Sequence, residues 1–484
     1  MASDEHGGGV IYEEVEDTYF EQRGLRRHAR VWSLWALGVG AVISGDFFGW
    51  NFGLEAGGFG GLLIATILIT VMYGGLCFSI GEMSPALPHT GGAYSFGRSA
   101  MGPWGGYITG LGENMEYIIT PAVIVVGIGG YLGAVFETPD AFAPVWWLVM
   151  YAVFVGLNVL GVEASFRFTV FITFIALAVL LLFYVGALPH FSLTWALNID
   201  PDPGQSRWLP RGWGGVAAAL PFAIWFYLAI EELPLAAEEA HDPRRDMPRG
   251  LLYGLLTLVV TAFLVLFLNA GIAPGAREVG LSDEPLFLGF KTVYGDGIGA
   301  KLLALIAVAG LIASFHTIIF AYGRNIYSLS RAGYFPRWLS VTHGQRKTPH
   351  VALIVGAVLG YLVALTIYLL PQDNPVGAVL LNMAVFGALI SYLMQGLSFL
   401  LLRYKMPDIE RPFVSPVGIP GAVVALIICS VTLVFLFLNP DYAKGVFGAA
   451  VWYVLGLLYF ALYARKRLVL SPEEAFAIEQ QKGT

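Results

Sequence analysis

Long apolar segments recur along the whole chain and constrain its fold more than any other feature. A helix needs about 20 apolar residues to cross a bilayer, and twelve such segments are separated by short polar loops. Only 13% of the 484 residues are charged, about half the share in a soluble domain of this size. The pattern predicts an all-α polytopic membrane protein with twelve transmembrane helices. They cover about residues 31–55, 59–83, 101–135, 144–162, 166–188, 212–237, 249–273, 299–331, 351–370, 376–403, 417–438 and 445–464.

Basic residues predict the orientation of these spans. If the N-terminus is inside, the inner loops and tails hold 21 of the 27 Lys and Arg residues, and the outer loops hold 6. Lys and Arg are enriched in cytoplasmic loops. We therefore expect an integral protein of the cell (inner) membrane with both termini in the cytoplasm. Residues 1–30 would form a cytoplasmic N-terminal tail, of which residues 1–22 are expected to be mobile, and residues 465–484 would form a cytoplasmic C-terminal tail.

The first span is interrupted by polar and small residues. Residues 38–53 read GVGAVISGDFFGWNFG, which puts Ser44, Gly45 and Asp46 in the middle of an apolar segment. Glycine and serine weaken a helix, and a carboxylate near mid-membrane costs about 2.5–3.5 kcal/mol on insertion scales. A span that served only as an anchor would gain nothing from these residues. The sequence predicts a broken membrane helix that lines a site, with Asp46 facing that site.

A second interruption occurs in the sixth span. Glu231 and Glu232 fall in its middle and Pro234 follows them; proline removes a backbone donor, so the helix should break nearby. Spans one and six are five spans apart, as two five-helix halves in inverted repeat require. Corresponding broken helices in two halves indicate the central site of a transporter.

Four segments together resemble the amino acid–polyamine–organocation (APC) transporter superfamily. They are the glycine-rich break of span one, GEMSPALPHTGGAYSFGRSAMGPWGGY at 81–107, EEAHDPRRDMPRG at 238–250, and FAYGRNIYSLSRAGYFP at 320–336. The resemblance implies a LeuT-type 5+5 inverted repeat with broken helices 1 and 6. The ten-helix transport core would cover 31–403, and peripheral helices 11 and 12 would lie in 404–464. Within the superfamily, ISGDFFGWNFGLEAGGFGG at 43–61 resembles the ethanolamine permease subfamily.

The resemblance also assigns roles to residues of the first break. In amino acid transporters of the superfamily, free backbone N–H groups of this break hold the substrate carboxylate. An ionised Asp46 would repel a carboxylate and attract an ammonium group, which favours an amine without a carboxylate, such as ethanolamine. Two alternatives stay open: Asp46 caps the second half-helix, or it couples transport to a proton or ion.

Further candidates follow from the same alignment and from helical spacing. Glu113 and Glu116 share one face of span three; Trp225 is expected to cover the substrate, since an aromatic face attracts ammonium. The alternatives are that the acids are neutral and hydrogen-bonded within the structure, and that Trp225 only packs against its neighbours. For Thr317, the alternative is a hydrogen bond to its own helix. His316 is a weaker candidate for proton coupling. The predicted substrate-binding residues are Ser44, Gly45, Asp46, Glu113, Glu116, Trp225, Glu231 and Thr317.

Charged residues at the inner ends of the helices are candidates for a gate. Glu238 and Glu239 are expected to form salt bridges with Arg98, Arg244 or Arg245 that close the inner side. The alternative is a solvated charged loop.

These patterns predict a secondary transporter that moves a small cationic amine, with ethanolamine as the favoured substrate, through the lipid bilayer by alternating access. The alternatives are an amino acid or polyamine permease of the same superfamily and, more remotely, a non-transporting amine sensor. An enzyme is not expected, because no nucleophile–base pair or phosphate-binding loop is evident. We expect no nucleic-acid partner, no cofactor and no metal site, although H⁺ or Na⁺ as a coupling ion stays open. Cys77 and Cys429 lie in apolar segments and predict no disulfide.

Overall fold

Helices carry nearly all of the regular structure. The computed structural model describes residues 9–89, 91–295, 297–369 and 376–482. Within these residues the strands are β1 (Tyr12–Glu13) and β2 (Leu468–Val469), which pair in parallel. The α-helices are α1 (Val31–Val42), α2 (Ser44–Phe47), α3 (Phe52–Ala86), α4 (Ala93–Phe136), α5 (Ala143–Leu160), α6 (Val162–Ala187), α7 (Leu193–Ala196), α8 (Gly212–Ile224), α9 (Pro243–Ala270), α10 (Ala276–Leu281), α11 (Pro285–Tyr294), α12 (Ile298–Arg331), α13 (His350–Leu369), α14 (Val376–Lys405), α15 (Gly418–Leu438), α16 (Ala443–Leu462) and α17 (Pro472–Lys482).

Ten helical segments of the described chain are long and apolar enough to cross a membrane. They coincide with ten of the twelve predicted spans, so the prediction of an all-helical protein with long apolar helices is confirmed. The two remaining spans correspond to the shorter apolar helices Val31–Phe47 and Gly212–Ile224. The last residue of the predicted ninth span, residue 370, lies outside the described residues.

Short helical pieces replace a continuous helix in both of these spans. Helix α1 ends at Val42, α2 covers four residues, and the chain is extended at Phe48 before α3 begins. Helix α8 ends at Ile224, and a 3₁₀ helix follows at Ile230–Glu239. The α-helix therefore ends ten residues before Pro234, earlier than the proline alone predicts.

Helix α4 consists of two parts that fold against each other. Gly102 has a φ of +77° and separates them. A Cβ at Gly106 would lie 2.9 Å from Arg98 Cβ, and one at Gly97 would collide with Thr109 Oγ1. Residues 93–101 thus run back along the start of the third predicted span.

The N-terminal and C-terminal segments of the described chain meet at one end of the helix bundle. The β1–β2 pair joins the N-terminal segment to the C-terminal one. The N-terminal segment is packed rather than free, which differs from the expected mobile tail: Tyr19 is buried and its OH donates to Arg331 O at 2.9 Å. Residues 1–8 and 483–484 of the predicted tails lie outside the described residues.

Candidate functional site

The interruption of span one is held open by a serine from α12. Ser44 N–H donates to Ser314 Oγ at 2.8 Å, and Ser314 Oγ donates to Gly40 O at 2.7 Å. In a continuous helix, Ser44 N–H would bond directly to Gly40 O. The Ser314 hydroxyl is therefore inserted into this helical hydrogen bond and satisfies both backbone groups.

The two interruptions touch each other. A Cβ at Gly45 would collide with the carbonyl oxygen of Trp225, and one at Gly49, whose φ is +97°, would lie 2.6 Å from Trp225 Nε1. Trp50 and Phe226 stack beside this contact, with ring centroids 5.5 Å apart. Glycine is needed here because the two backbones approach closely.

Asp46 lies inside this contact region but faces α9. Its exposed fraction is 2%, and neither carboxylate oxygen has a hydrogen-bond partner within the described residues. Thr261 of α9, Tyr184 of α6 and Tyr227 lie near the carboxylate. Buried carboxylates without partners are costly and mark functional positions inside membranes.

The predicted acids of spans three and six form a second group. The carboxyl groups of Glu116 and Glu231 lie close enough to influence each other electrostatically. Tyr392 OH donates to Glu116 Oε1 at 3.3 Å, whereas neither Glu231 oxygen has a hydrogen-bond partner within the described residues. Two neighbouring carboxyl groups cannot both carry a charge at low cost, so such a pair favours a proton or a cation beside it. Glu232 is also buried, and both its carboxylate oxygens lack a partner in the described chain.

Glu113 is held by polar groups of three helical segments. It accepts hydrogen bonds from Asn325 Nδ2 at 3.3 Å and from Tyr117 OH at 3.4 Å. The backbone amides of Ala93 and Tyr94, at the start of α4, also lie beside its carboxylate. The fold-back of α4 at Gly102 produces this arrangement.

The polar residues of α12 have mainly local partners. Thr317 Oγ1 donates to Ala313 O, one turn earlier in its own helix. The His316 ring contacts Asn158 Nδ2 at 3.1 Å and Ser165 Oγ at 3.0 Å, which links α12 to α5 and α6. Within the described residues, no three His, Cys, Asp or Glu side chains form a group suited to a metal ion.

Ion pairs close the end of the bundle that holds the termini, but their partners differ from the predicted ones. Glu239 pairs with Arg324 of α12 at 2.9 Å, and Glu238 with Arg331 at 2.7 Å. The predicted partners Arg98, Arg244 and Arg245 differ from these, because Arg324 and Arg331 of α12 pair with the two acids instead. Arg98 instead pairs with Glu474 of α17 at 2.5 Å, and Arg244 with exposed Glu410 at 3.0 Å.

Helix α17 supplies two buried acids that sequence reasoning missed. Glu474 accepts hydrogen bonds from Arg98, Tyr94 and Tyr334, and Glu473 pairs with Arg331. Burial raises the pKa of Glu473, but the Arg331 guanidinium outweighs this effect and holds the pKa below its ordinary value. The adjacent acids at the start of a helix were the available signal, since a helix N-terminus favours negative charge.

Comparison with known proteins places this arrangement in a family. The model of the amino acid permease family matches residues 34–471. The chain belongs to the amino acid permease family. An uncharacterized transporter of Rhizobium meliloti is 29% identical, with 88% of this chain and 90% of the relative covered. The branched-chain amino acid permease of Bacillus subtilis is 27% identical, with 93% and 96% covered, and the methylthioribose transporter of the same organism is 24% identical over the same shares.

This membership decides the general class of the protein. It is an integral membrane permease of the APC superfamily, and its relatives are transporters rather than enzymes. The prediction that the chain is not an enzyme is confirmed.

Proposed function

We propose that this permease carries an amino acid across the cell membrane by alternating access. The observation that carries the proposal is the contact between the two helix interruptions, where Gly45 packs on the Trp225 backbone and Asp46 is buried without a partner. Broken helices that meet at mid-membrane form the substrate sites of inverted-repeat transporters. The match to the amino acid permease family over most of the chain supports the amino acid as substrate.

We propose the LeuT-type arrangement of twelve spans for this chain. Residues 31–55 would form the first span as two half-helices, and residues 212–239 would form the sixth as α8 and the 3₁₀ helix. An even number of spans agrees with the termini lying at one end of the bundle. The excess of Lys and Arg at that end supports its placement in the cytoplasm.

The roles proposed for the site residues follow from their positions. Ser44, whose backbone groups already bond to Ser314 and Phe48, would offer its hydroxyl to the substrate. Gly45 would offer backbone groups, and Trp225 would form the wall opposite them. The acids of the second group, Glu116 and Glu231, would hold the proton or cation that accompanies transport. Thr317 is a weaker candidate because its hydroxyl already bonds to Ala313 O.

The ion pairs around Glu238 and Glu239 are proposed to form the inner gate, with Arg324 and Arg331 as their partners. For the substrate path to open on this side, α12 must separate from residues 238–239. Arg98 would act with α17, while Arg244 is too exposed to contribute strongly.

Ethanolamine is a second candidate substrate, favoured by one observation. Asp46 stands in the interruption where amino acid transporters present only backbone groups, and no basic side chain is paired with it within the described residues. A carboxylate in this place favours an ammonium group and disfavours a substrate carboxylate.

Uptake into proteoliposomes distinguishes the two candidates. Labelled branched-chain amino acids and labelled ethanolamine are offered separately, with imposed proton or sodium gradients. We expect saturable uptake of one of them; competition by the other shows whether both share the site. If neither is taken up and neither binds, the proposed substrate class is wrong.

Asp46→Asn tests the role of the carboxylate. If ethanolamine or another amine is bound through Asp46, affinity should fall at least tenfold, because one charged contact contributes about 1.4 kcal/mol or more. Glu55→Gln, an exposed change of the same charge in α3, is the control and should leave affinity unchanged. Wild-type affinity in a correctly folded Asp46→Asn protein would refute the role.

A further inference from the structure

A basic crevice lies at the terminal end of the bundle, apart from the proposed transport site. It is formed by the N-terminal segment before α1, the junction between α5 and α6, and the loop before α13, and its volume is about 540 Å³. Arg26, Arg27, Arg167 and Arg346 line it, and Glu163 is the acidic residue among the lining residues. The chain as a whole has a net charge of −7, so this concentration of positive charge is local.

Among the described residues, three of the four arginines have no acidic partner. Glu163 pairs with Arg167 at 2.5 Å, one turn along α6. Arg26, Arg27 and Arg346 form no ion pair within the described residues and remain exposed. Three guanidinium groups around one concave surface favour an anion with several oxygen atoms, because each guanidinium offers paired N–H donors in a planar fork.

The crevice opens onto the lipid-facing side of α6. Arg167, Phe171, Phe174 and Leu181 recur at intervals of four, three and seven residues and therefore share one face of the helix. Phe171 and Leu181 are each 62% exposed, as expected for side chains in contact with hydrocarbon. Arg167 thus lies just beyond the end of an apolar stripe, at the depth where lipid head groups meet acyl chains.

We propose that this crevice binds the head group of an anionic phospholipid. The lipid phosphate would be held by the unpaired Arg26, Arg27 and Arg346, and an acyl chain would lie along the exposed stripe of α6 that begins at Arg167. Basic pockets between membrane helices are known to hold acidic lipid head groups. The apolar stripe beneath the arginines favours a lipid over a soluble phosphate compound.

The bound lipid would act on the segment that leads into span one. His28 N–H and Ala29 N–H donate to Glu239 O at 2.7 and 2.9 Å, and Glu239 forms the buried pair with Arg324. A lipid that holds Arg26 and Arg27 against the α5–α6 junction would therefore stabilise the closed terminal end. This step rests on the proposed gate, whereas lipid binding itself does not.

The test compares lipid binding by two double variants of equal charge. Arg27→Gln/Arg346→Gln removes two charges from the crevice, and Arg245→Gln/Arg249→Gln removes two exposed charges from the start of α9 on the same side. The full chain is placed in phosphatidylcholine nanodiscs with increasing phosphatidylglycerol, and bound phosphatidylglycerol is counted by native mass spectrometry. We expect the crevice variant to lose affinity roughly 25-fold and the control to keep it.

Three outcomes would overturn the proposal. One is an equal loss in both variants, which would indicate only a general surface charge effect. Another is unchanged affinity in the crevice variant. The third is displacement of the lipid by low concentrations of soluble glycerol 3-phosphate, which would identify the phosphate group alone as the ligand. The single variant Arg26→Gln, at another exposed position of the crevice, should show a smaller loss and provides a second measurement if the double variant folds poorly.

Discussion

Ser314 allows a sharp test of how the interruption in span one is maintained. Ser314→Ala removes the hydroxyl that accepts from Ser44 N–H and donates to Gly40 O. Both backbone groups are buried, and a buried group left without a partner costs about 1–3 kcal/mol. Side-chain hydrogen bonds in membrane proteins contribute about 0.6 kcal/mol on average, which favours the lower end of this range for each group. Because two backbone groups lose their partner, we expect the free energy of unfolding to fall by about 2 kcal/mol in total.

Ser79→Ala is the matched control for this experiment. Ser79 is equally buried in α3, but its hydroxyl donates only to Gly75 O, which also accepts a backbone hydrogen bond of the same helix. Its loss should cost about 0.5 kcal/mol or less. Reversible unfolding in mixed detergent micelles gives both values. If the two variants lose the same stability, the Ser314 hydroxyl does not maintain the interruption and the reasoning fails.

Two further substitutions test the contacts at the centre and at the terminal end. Gly45→Ala would place a methyl group on the Trp225 carbonyl, so we expect the free energy of unfolding to fall by about 1–3 kcal/mol and uptake to be lost. Gly74→Ala is the control and should be neutral, because a methyl group there meets open space beside α3. Equal effects of the two substitutions would contradict the contact between Gly45 and Trp225. Glu474→Gln leaves Arg98 buried without a charged partner, which should cost about 3 kcal/mol and make α17 sensitive to protease. Exposed Glu479→Gln is its control, and a protease-resistant Glu474→Gln helix would show that the pair does not hold α17.

The helices could be predicted from the sequence because their signals are local. Length and hydropathy define a membrane helix without knowledge of its neighbours, and ten predicted spans coincide with long helices. The first interruption was likewise visible in the residues around Gly45. The break in span six was expected near Pro234, but α8 ends at Ile224, next to the point where Gly45 approaches the Trp225 backbone; a contact between distant segments has no local signal in the sequence.

The partners of the polar residues could not be predicted in the same way. A serine in an apolar helix usually bonds to its own helix, so nothing in the sequence distinguishes Ser314 from Ser79. The position of Asp46 beside Thr261 of α9 depends on how α2 packs against α9, which no local pattern in the sequence predicts. Glu473 and Glu474 lie in a short polar helix whose composition is typical of a solvated tail, and only the fold brings Arg331 and Arg98 to it.

The pairing of β1 with β2 brings the N-terminal and C-terminal segments into contact. Tyr12 lies opposite Leu468, so a peptide linker between the two segments would connect parts of the chain that already touch. Residues 201–208, between the fifth and sixth predicted spans, are mostly exposed and offer a place to reopen the chain. In such a circular permutant the new ends would lie across the membrane from the old ones. The order of the helices along the chain would change, while their packing would stay the same.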